Sequence, residues 1–376
     1  MESIEQMIKR LCPKGVEYVK LGEVCEIKTG KGITKKDAEN AGDYPIISGG
    51  VTPMGYFHLF NREPNVVTVS RVGANAGWVG YMTEKFYLND KCFSVIPNVV
   101  NANKINSKYL YYYLKQNEST LTSLQSEGGV PTINTQKVGS IDFPLPPLEI
   151  QSRIVEVLDK MTTLTAELEA ELEARKQQYE YYRNKLLTFS EIGEGIRQVT
   201  WKTLGETCTI LTGGEPCGNI IKGGKSDSMH PYAIFGNGAE IYGWSDTYRV
   251  GTDAVTISSI GANTGTIYYR KGPFTPIIRL KVILPGENLS QRFLYHILKT
   301  IKIKKKKSSV PNMNANEIKS ILIPVPSMEE QSRIVSILDR FEALTTDLQS
   351  GLPAEIEARR QQYEYYRNKL LTFEAV

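Results

Sequence analysis

The thirteen residues QQYEYYRNKLLTF occur at 177–189 and again, unchanged and without a gap, at 361–373. Self-similarity of this kind fixes the organisation first, because each copy must belong to one unit of a duplicated architecture. Shorter echoes extend it upstream. EAR at 173–175 returns at 357–359, QSRIV at 151–155 at 331–335, and Leu158-Asp159 as Leu338-Asp339. The offset grows from 180 to 184, so the second copy holds four extra residues near Gly351–Ala354. Weaker echoes fill the remainder. Leu21-Gly22-Glu23 matches Leu204-Gly205-Glu206, VTVSRVGANAG (67–77) matches VTISSIGANTG (255–265), and Val130-Pro131 matches Val310-Pro311. The chain reads as two halves, each a globular segment of about 130 residues followed by a helical one.

The helical segments carry a heptad-like stripe: Ile150, Ile154, Val157, Met161, Leu164, Leu168, Leu172, Tyr179, Tyr182, Leu186. Steps of three and four alternate, with a stutter at 164–168–172, which is coiled-coil spacing. No Gly or Pro interrupts 149–189, so a single helix of about 40 residues is expected, roughly 60 Å long. In the second copy Gly351 and Pro353 interrupt the stripe, predicting a kink or a restart with Pro353 in a first turn. The proline-rich lead-ins FPLPPLE (143–149) and IPVPSMEE (323–330) predict short extended segments. The globular segments look mixed. β-branched runs at Asn65–Arg71 and Ala254–Ser259 alternate with Gly-rich turns, and helical patterns stand at Ser107–Lys115 and Ser290–Lys299. Ser3 and Gln6 are spaced for a capping box on a short N-terminal helix. The fold class is α+β.

Composition excludes several classes. With 41% hydrophobic residues the chain can bury cores, and a net charge of +4 is neither acidic-disordered nor, alone, evidence for nucleic acid. No apolar run approaches the roughly 18 residues of a membrane span, and Glu2 and Glu5 replace any secretory h-region. Five cysteines without a CxxC argue against a disulfide framework or structural zinc and point to a reducing cytoplasm. Catalytic signatures are missing. GNIIKGGKS (218–226) resembles a P-loop, but Asn219 stands where its first Gly belongs. No GxGxxG, G-x-S-x-G or N/D-P-P-Y/F stretch occurs, and the three histidines offer little for a metal. The chain is expected to perform no covalent chemistry by itself.

Binding material is present. Lys302, Lys304, Lys305, Lys306 and Lys307 crowd one short run, either a solvated loop or a phosphate-contacting one. Lys35 and Lys36 close a looser basic stretch begun by Lys28 and Lys31. The turns Arg71–Gly77 and Ser259–Gly265 place Asn75 and Asn263 two residues after a Gly. They are either ordinary β-turns or amides presented to an adenine edge. Thr132, Asn134, Lys137, Asn312, Asn314 and Lys319 are further candidate groove or backbone donors. In the repeated helix ends, the side chains off the stripe recur too, among them Tyr181, Arg183 and Lys185 with Tyr365, Arg367 and Lys369. Either a duplication left them alike, or two copies of one partner dock there.

The duplicated layout, FPLPPLEIQSRI and IPVPSMEEQSRI, Thr165-Ala166-Glu167-Leu168, the QQYEYYRNKLL ends, LGEVCEIKTGKG (21–32) and YPIISGG (44–50) together closely resemble the specificity subunit of type I restriction–modification systems. The resemblance covers essentially the whole chain. It implies a first target-recognition domain (1–147), a first long helix (148–190), a second recognition domain (191–327) and a second helix (328–376). The helices would pack as an antiparallel coiled coil between the domains. It implies a non-catalytic cytoplasmic subunit that reads a bipartite asymmetric site in double-stranded DNA. Two methyltransferase subunits and restriction subunits would join it, with S-adenosylmethionine, ATP and magnesium held by those partners. A coiled-coil scaffold with two protein-binding domains is the alternative, and a self-sufficient nuclease or methyltransferase ranks third.

Overall fold

The computed structural model describes residues 2–39, 42–126, 129–189, 199–301, 312–347 and 350–376. The chain forms two compact units, Met1–Glu169 with Glu355–Val376, and Ala170–Ala354. The division falls within both helical segments, so each unit owns the start of one and the end of the other.

In the first unit the strands Cys25–Thr29, Cys92–Pro97, Val66–Ser70 and Val79–Met82 pair antiparallel in that order. Val66–Ser70 is buried at every position, which is why its sequence VVTVS lacks polar alternation. The second unit repeats the order with Cys208–Thr212, Lys281–Pro285, Ala254–Ile257 and Ile267–Arg270. A smaller sheet accompanies each. Tyr44–Ile47 lies between Tyr56–Phe57 and a parallel Tyr87–Leu88. Tyr232–Phe235 lies likewise between Ile241–Ser245 and a parallel Phe274–Pro276, and Ile220–Lys222 adds an edge. Helices Ser107–Gln116 and Gln291–Thr300 form at the expected places, capped by Asn106 and Ser290. The Ser3–Gln6 capping box is present on Ile4–Leu11.

The proline lead-ins are short strands. Asp142–Pro144 pairs antiparallel with Tyr18–Lys20, and Leu322–Val325 with Thr200–Thr203. Leu148–Leu187 is one helix of 40 residues. Its counterpart is broken into Met328–Thr346 and Leu352–Leu370, with Pro353 in the first turn of the second piece. Within the first unit the helical pieces run antiparallel: Glu169 meets Arg360 at 2.6 Å, whereas Leu370 and Leu371 join the core around Ile150, Ile154 and Leu158. Within the second, Tyr182 stacks on Phe341 at 5.6 Å, and Leu186 and Leu187 share a core with Ile334 and Leu338. Leu158 lies off the sequence stripe yet is fully buried, because the helix start packs on its domain as well as on its helical partner.

The recurrent QSRIV and Leu-Asp motifs are clamps. Gln151 is fully buried. Its Oε1 accepts from the Asn106 amide at 2.9 Å, and its Nε2 donates to the Lys104 and Pro146 carbonyls at 2.8 and 2.7 Å. Gln331 does the same with the Ser290 amide and the Asn288 and Pro326 carbonyls at 2.8, 3.0 and 2.9 Å. One amide thus ties the cap of the domain helix to the turn that launches the long helix. About two turns on, Asp159 accepts from Lys108 and Tyr112 at 2.8 and 2.5 Å. Asp339 accepts from Arg292 and His296, and Arg292 also reaches Glu342 at 2.8 Å. His296, Asp339 and Glu342 have metal-ligand spacing, but the charge among them is the Arg292 guanidinium.

Candidate nucleic-acid interface

At one end of each main sheet, separate loops converge on a corner built in the same way. The strand Val66–Ser70 runs into the turn Arg71–Gly77, closed by the Gly77 amide on the Ser70 carbonyl and the Ala76 amide on the Gly73 carbonyl, at 2.8 and 2.9 Å. The turn Ser259–Gly265 is closed identically, Gly265 on Ser258 and Thr264 on Gly261, at 2.8 and 3.0 Å. Gly73 and Gly261 sit at φ of 96° and 85°, where only Gly is unstrained. Against each turn lies the loop before the next short helix. The Ile133 amide bonds the Arg71 carbonyl, and the Met313 amide the Ser259 carbonyl, at 2.9 and 2.8 Å. The segments 71–77 and 130–137, and 259–265 and 312–319, are therefore neighbours, as their joint candidacy requires.

The candidates divide into exposed and internal groups. Asn75 and Asn263 are exposed on the turns, Asn75 tethered to the Gly49 carbonyl at 3.1 Å. Arg71 is half-buried with its guanidinium on the Asp90 carbonyl at 3.3 Å. Thr132 shares a hydrogen bond with Ser126 at 2.7 Å, and Asn312 is exposed. Lys35 and Lys36 are exposed on a 3-10 turn, and Lys319 at a helix end. Asn134 and Asn314 cap the helices Thr135–Gly139 and Ala315–Lys319, accepting from the Lys137 and Glu317 amides at 2.8 and 2.9 Å. Their repetition reflects helix capping. Ser259 needs correction as a contact residue, and Lys137 is partly buried. Ser259 is 2% exposed and gives its hydroxyl to the Arg279 carbonyl, while Lys137 turns inward onto the Leu124 carbonyl at 2.8 Å. Lys302, Lys304, Lys305, Lys306 and Lys307 lie outside the described residues.

The identical helix ends expose the same tyrosines but differ in their lysines. Tyr181 and Tyr365 are 59% and 62% exposed, each edge-on to its neighbour, Tyr182 or Tyr366, at 5.3 Å. Arg183 and Arg367 are less available. Their guanidinium groups lie over Tyr179 and Tyr363 at 5.6 and 5.7 Å, with Nε buried and unbonded. Lys185 lies near the Tyr181 ring, but Lys369 pairs with Glu5 at 2.7 Å.

The family model described as "Type I restriction modification DNA specificity domain" matches residues 13–175 and 198–358, one copy per half. The chain is 34% identical to the type I restriction enzyme EcoR124I/EcoR124II specificity subunit of Escherichia coli, over 99% of this chain and 98% of that one. The chain belongs to the type I restriction–modification specificity subunits. The crystal structure of such a subunit from M. genitalium shares the fold, with TM-score 0.67 at 18% identity over 95% of this chain and 96% of that one. A chain from a structural study of complex assembly and conformational transition of the type I R-M system aligns with TM-score 0.55 at 18% identity, over 96% and 98%. Membership sets the chain among DNA-specificity components, which are non-catalytic, and disfavours a scaffold without a DNA role. Among the described residues no helix is long and apolar enough to cross a membrane.

Two groups of residues at these places were not singled out in the sequence. The clamp residues Gln151, Gln331, Asp159 and Asp339 were signalled by the recurrence of QSR and Leu-Asp. The exposed corner pairs Asp90-Lys91 and Ile278-Arg279 carry no echo, because the two pairs share no residue.

Proposed function

We propose that this chain reads a split, asymmetric site in double-stranded DNA, segment 1–147 reading one half and 191–327 the other. It carries two methyltransferase subunits on its identical helix ends, and restriction subunits join that core. S-adenosylmethionine, ATP and magnesium belong to the partners, and the assembly works in the cytoplasm. The observation that carries this reading is one corner built twice with the same backbone bonds, holding the same exposed Asn but different neighbours. Equal scaffolds with unequal side chains suit two different half-sites.

The chain produced together with its methyltransferase, followed by mapping of methylated adenines across the host genome, tests this. A motif of two unlike halves around unread positions is expected. A contiguous single motif, or none with duplex binding absent, would overturn it.

A further inference from the structure

The loop between Phe274–Pro276 and Lys281–Pro285 contains two consecutive non-glycine residues in the left-handed region, Ile278 at φ 51° and Arg279 at φ 58°. A β-branched residue there is a strained outlier, and such strain persists only where surrounding structure imposes it. Here the imposition is visible. The Ile278 and Arg279 amides bond the Gly214 and Gly213 carbonyls at 3.1 and 3.0 Å. Asn237 Nδ2 and the Ser259 hydroxyl donate to the Ile278 and Arg279 carbonyls, both at 2.5 Å. A Cβ at Gly213 would lie 2.8 Å from the Ile277 amide nitrogen, so only Gly permits the approach.

Asn237 is itself held from behind. Arg270, 6% exposed, lies over Phe235 and Tyr268 at 4.2 and 4.3 Å. Its guanidinium donates to the Gly238 and Ala239 carbonyls, pinning the loop that bears Asn237. Both outlier side chains stay outside: Ile278 is 54% exposed and Arg279 is exposed. Among the described residues no carboxylate pairs with Arg279. A rigid backbone thus presents an unpaired guanidinium beside an aliphatic side chain.

The first unit puts a pair at the corresponding corner on a different backbone, with neither residue in the left-handed region and the Lys91 amide on Asn89 Oδ1 at 3.0 Å. The Asn89 amide bonds the Ile47 carbonyl as Ile277 bonds Phe235, at 2.8 and 2.9 Å, and Asn89 bridges to Lys31 as Ile277 does to Gly214. Asp90 and Lys91 therefore correspond in position, though not in backbone conformation, to Ile278 and Arg279. The Arg71 amide holds the Lys91 carbonyl at 2.8 Å, and Asp90 and Lys91 are exposed.

We propose that these two pairs, Asp90-Lys91 and Ile278-Arg279, are base-reading elements that make the two half-sites differ. The inference rests on the split-site reading above and names its specificity-determining residues. A guanidinium takes guanine O6 and N7 in bidentate fashion, and an aliphatic chain suits a thymine methyl. A carboxylate accepts from cytosine N4, and an ammonium donates to guanine. The same corner thus offers different chemistry in each unit.

Selection of duplexes with a randomised 20-pair tract by the full chain tests it. Arg279→Gly is the informative variant, because Gly adopts φ near 58° without strain and leaves the backbone bonds in place. Base preference should relax at one or two positions of one half only. Affinity for the wild-type consensus should fall roughly ten- to hundred-fold, with little change on unrelated duplexes. Asp90→Ile combined with Lys91→Arg should alter the other half alone. An unchanged consensus in both variants overturns the proposal. So does uniform weakening with a shallower salt dependence, which marks a phosphate contact. A wild-type chain that selects no consensus overturns the DNA reading itself, and the proposal with it.

Discussion

The clamp at the start of the first long helix and the clamp at the start of the second solve one problem with different charge. Gln151 and Gln331 make the same three hydrogen bonds. About two turns on, Asp159 faces an ammonium and a phenol, whereas Asp339 faces a guanidinium and an imidazole with Glu342 added. Backbone satisfaction admits few alternatives, so the glutamine is kept; an ion pair can be rebuilt from several residues, so its members drift.

The largest effect is expected where the units are alike. Gln151→Ala or Gln331→Ala leaves one amide and two carbonyls without their partner, and each should cost about 3 kcal/mol of unfolding free energy. Urea denaturation would measure it. A cost at Gln331 more than about twice that at Gln151 would break the equivalence.

The next effects separate the units. Arg292→Met leaves Asp339 only His296 and Glu342 only Tyr295 and Lys299, and should cost about 2 kcal/mol, against about 1 kcal/mol or less for Lys108→Met, whose pair is about one-third exposed. Equal losses would mean that burial of the network contributes little.

Acid should distinguish them as well. Burial holds the His296 pKa below its ordinary 6.5, outweighing the Asp339 hydrogen bond that raises it. Its Nε2 gives a proton to Asp339, leaving Nδ1 buried and unpartnered, so a second proton has no acceptor. The folded pKa being depressed, the unfolded chain binds the proton first, and stability falls as pH drops below about 6.5. Burial opposes ionisation of Asp339 and Glu342 and is the largest single influence, but hydrogen bonds from Arg292, with those from His296 to Asp339 and Tyr295 to Glu342 and the nearby positive charges, together outweigh it and lower both pKa values. Their contribution is present above about pH 4 and is lost as pH falls further. His296→Phe should flatten the upper part of this acid dependence. Tyr112, its first-unit counterpart, has its hydroxyl pushed up by burial and gives no slope there. A slope unaltered in His296→Phe would assign it elsewhere.

The smallest stability effects belong to the helix ends. Tyr181→Ala and Tyr365→Ala should each change stability by less than about 0.5 kcal/mol, since both side chains are exposed. Each should nevertheless remove one methyltransferase copy, read as complex mass by light scattering. Unchanged mass in both variants would leave the repeated tyrosines a product of duplication alone.

Duplication, the long helix, its restart at Pro353 and the extended lead-ins were legible because period, proline and glycine act locally. Leu158 escaped because a heptad stripe describes one helix face and this helix start buries two. The capping role of Asn134 and Asn314 was hidden because capping and recognition use the same residue types. Arg279 was illegible for a different reason: a left-handed arginine is imposed by Gly213, Asn237 and Ser259, which are remote in sequence.

That each unit reads its own half-site is tested most directly by replacing residues 200–325 with residues 17–145, which preserves the paired lead-in strands. Adenine-methylation mapping in a strain carrying this chain with its methyltransferase gives the readout. The expected motif contains the first unit's half-site twice and has lost the second. Retention of the original asymmetric motif would contradict the assignment of one half to each unit.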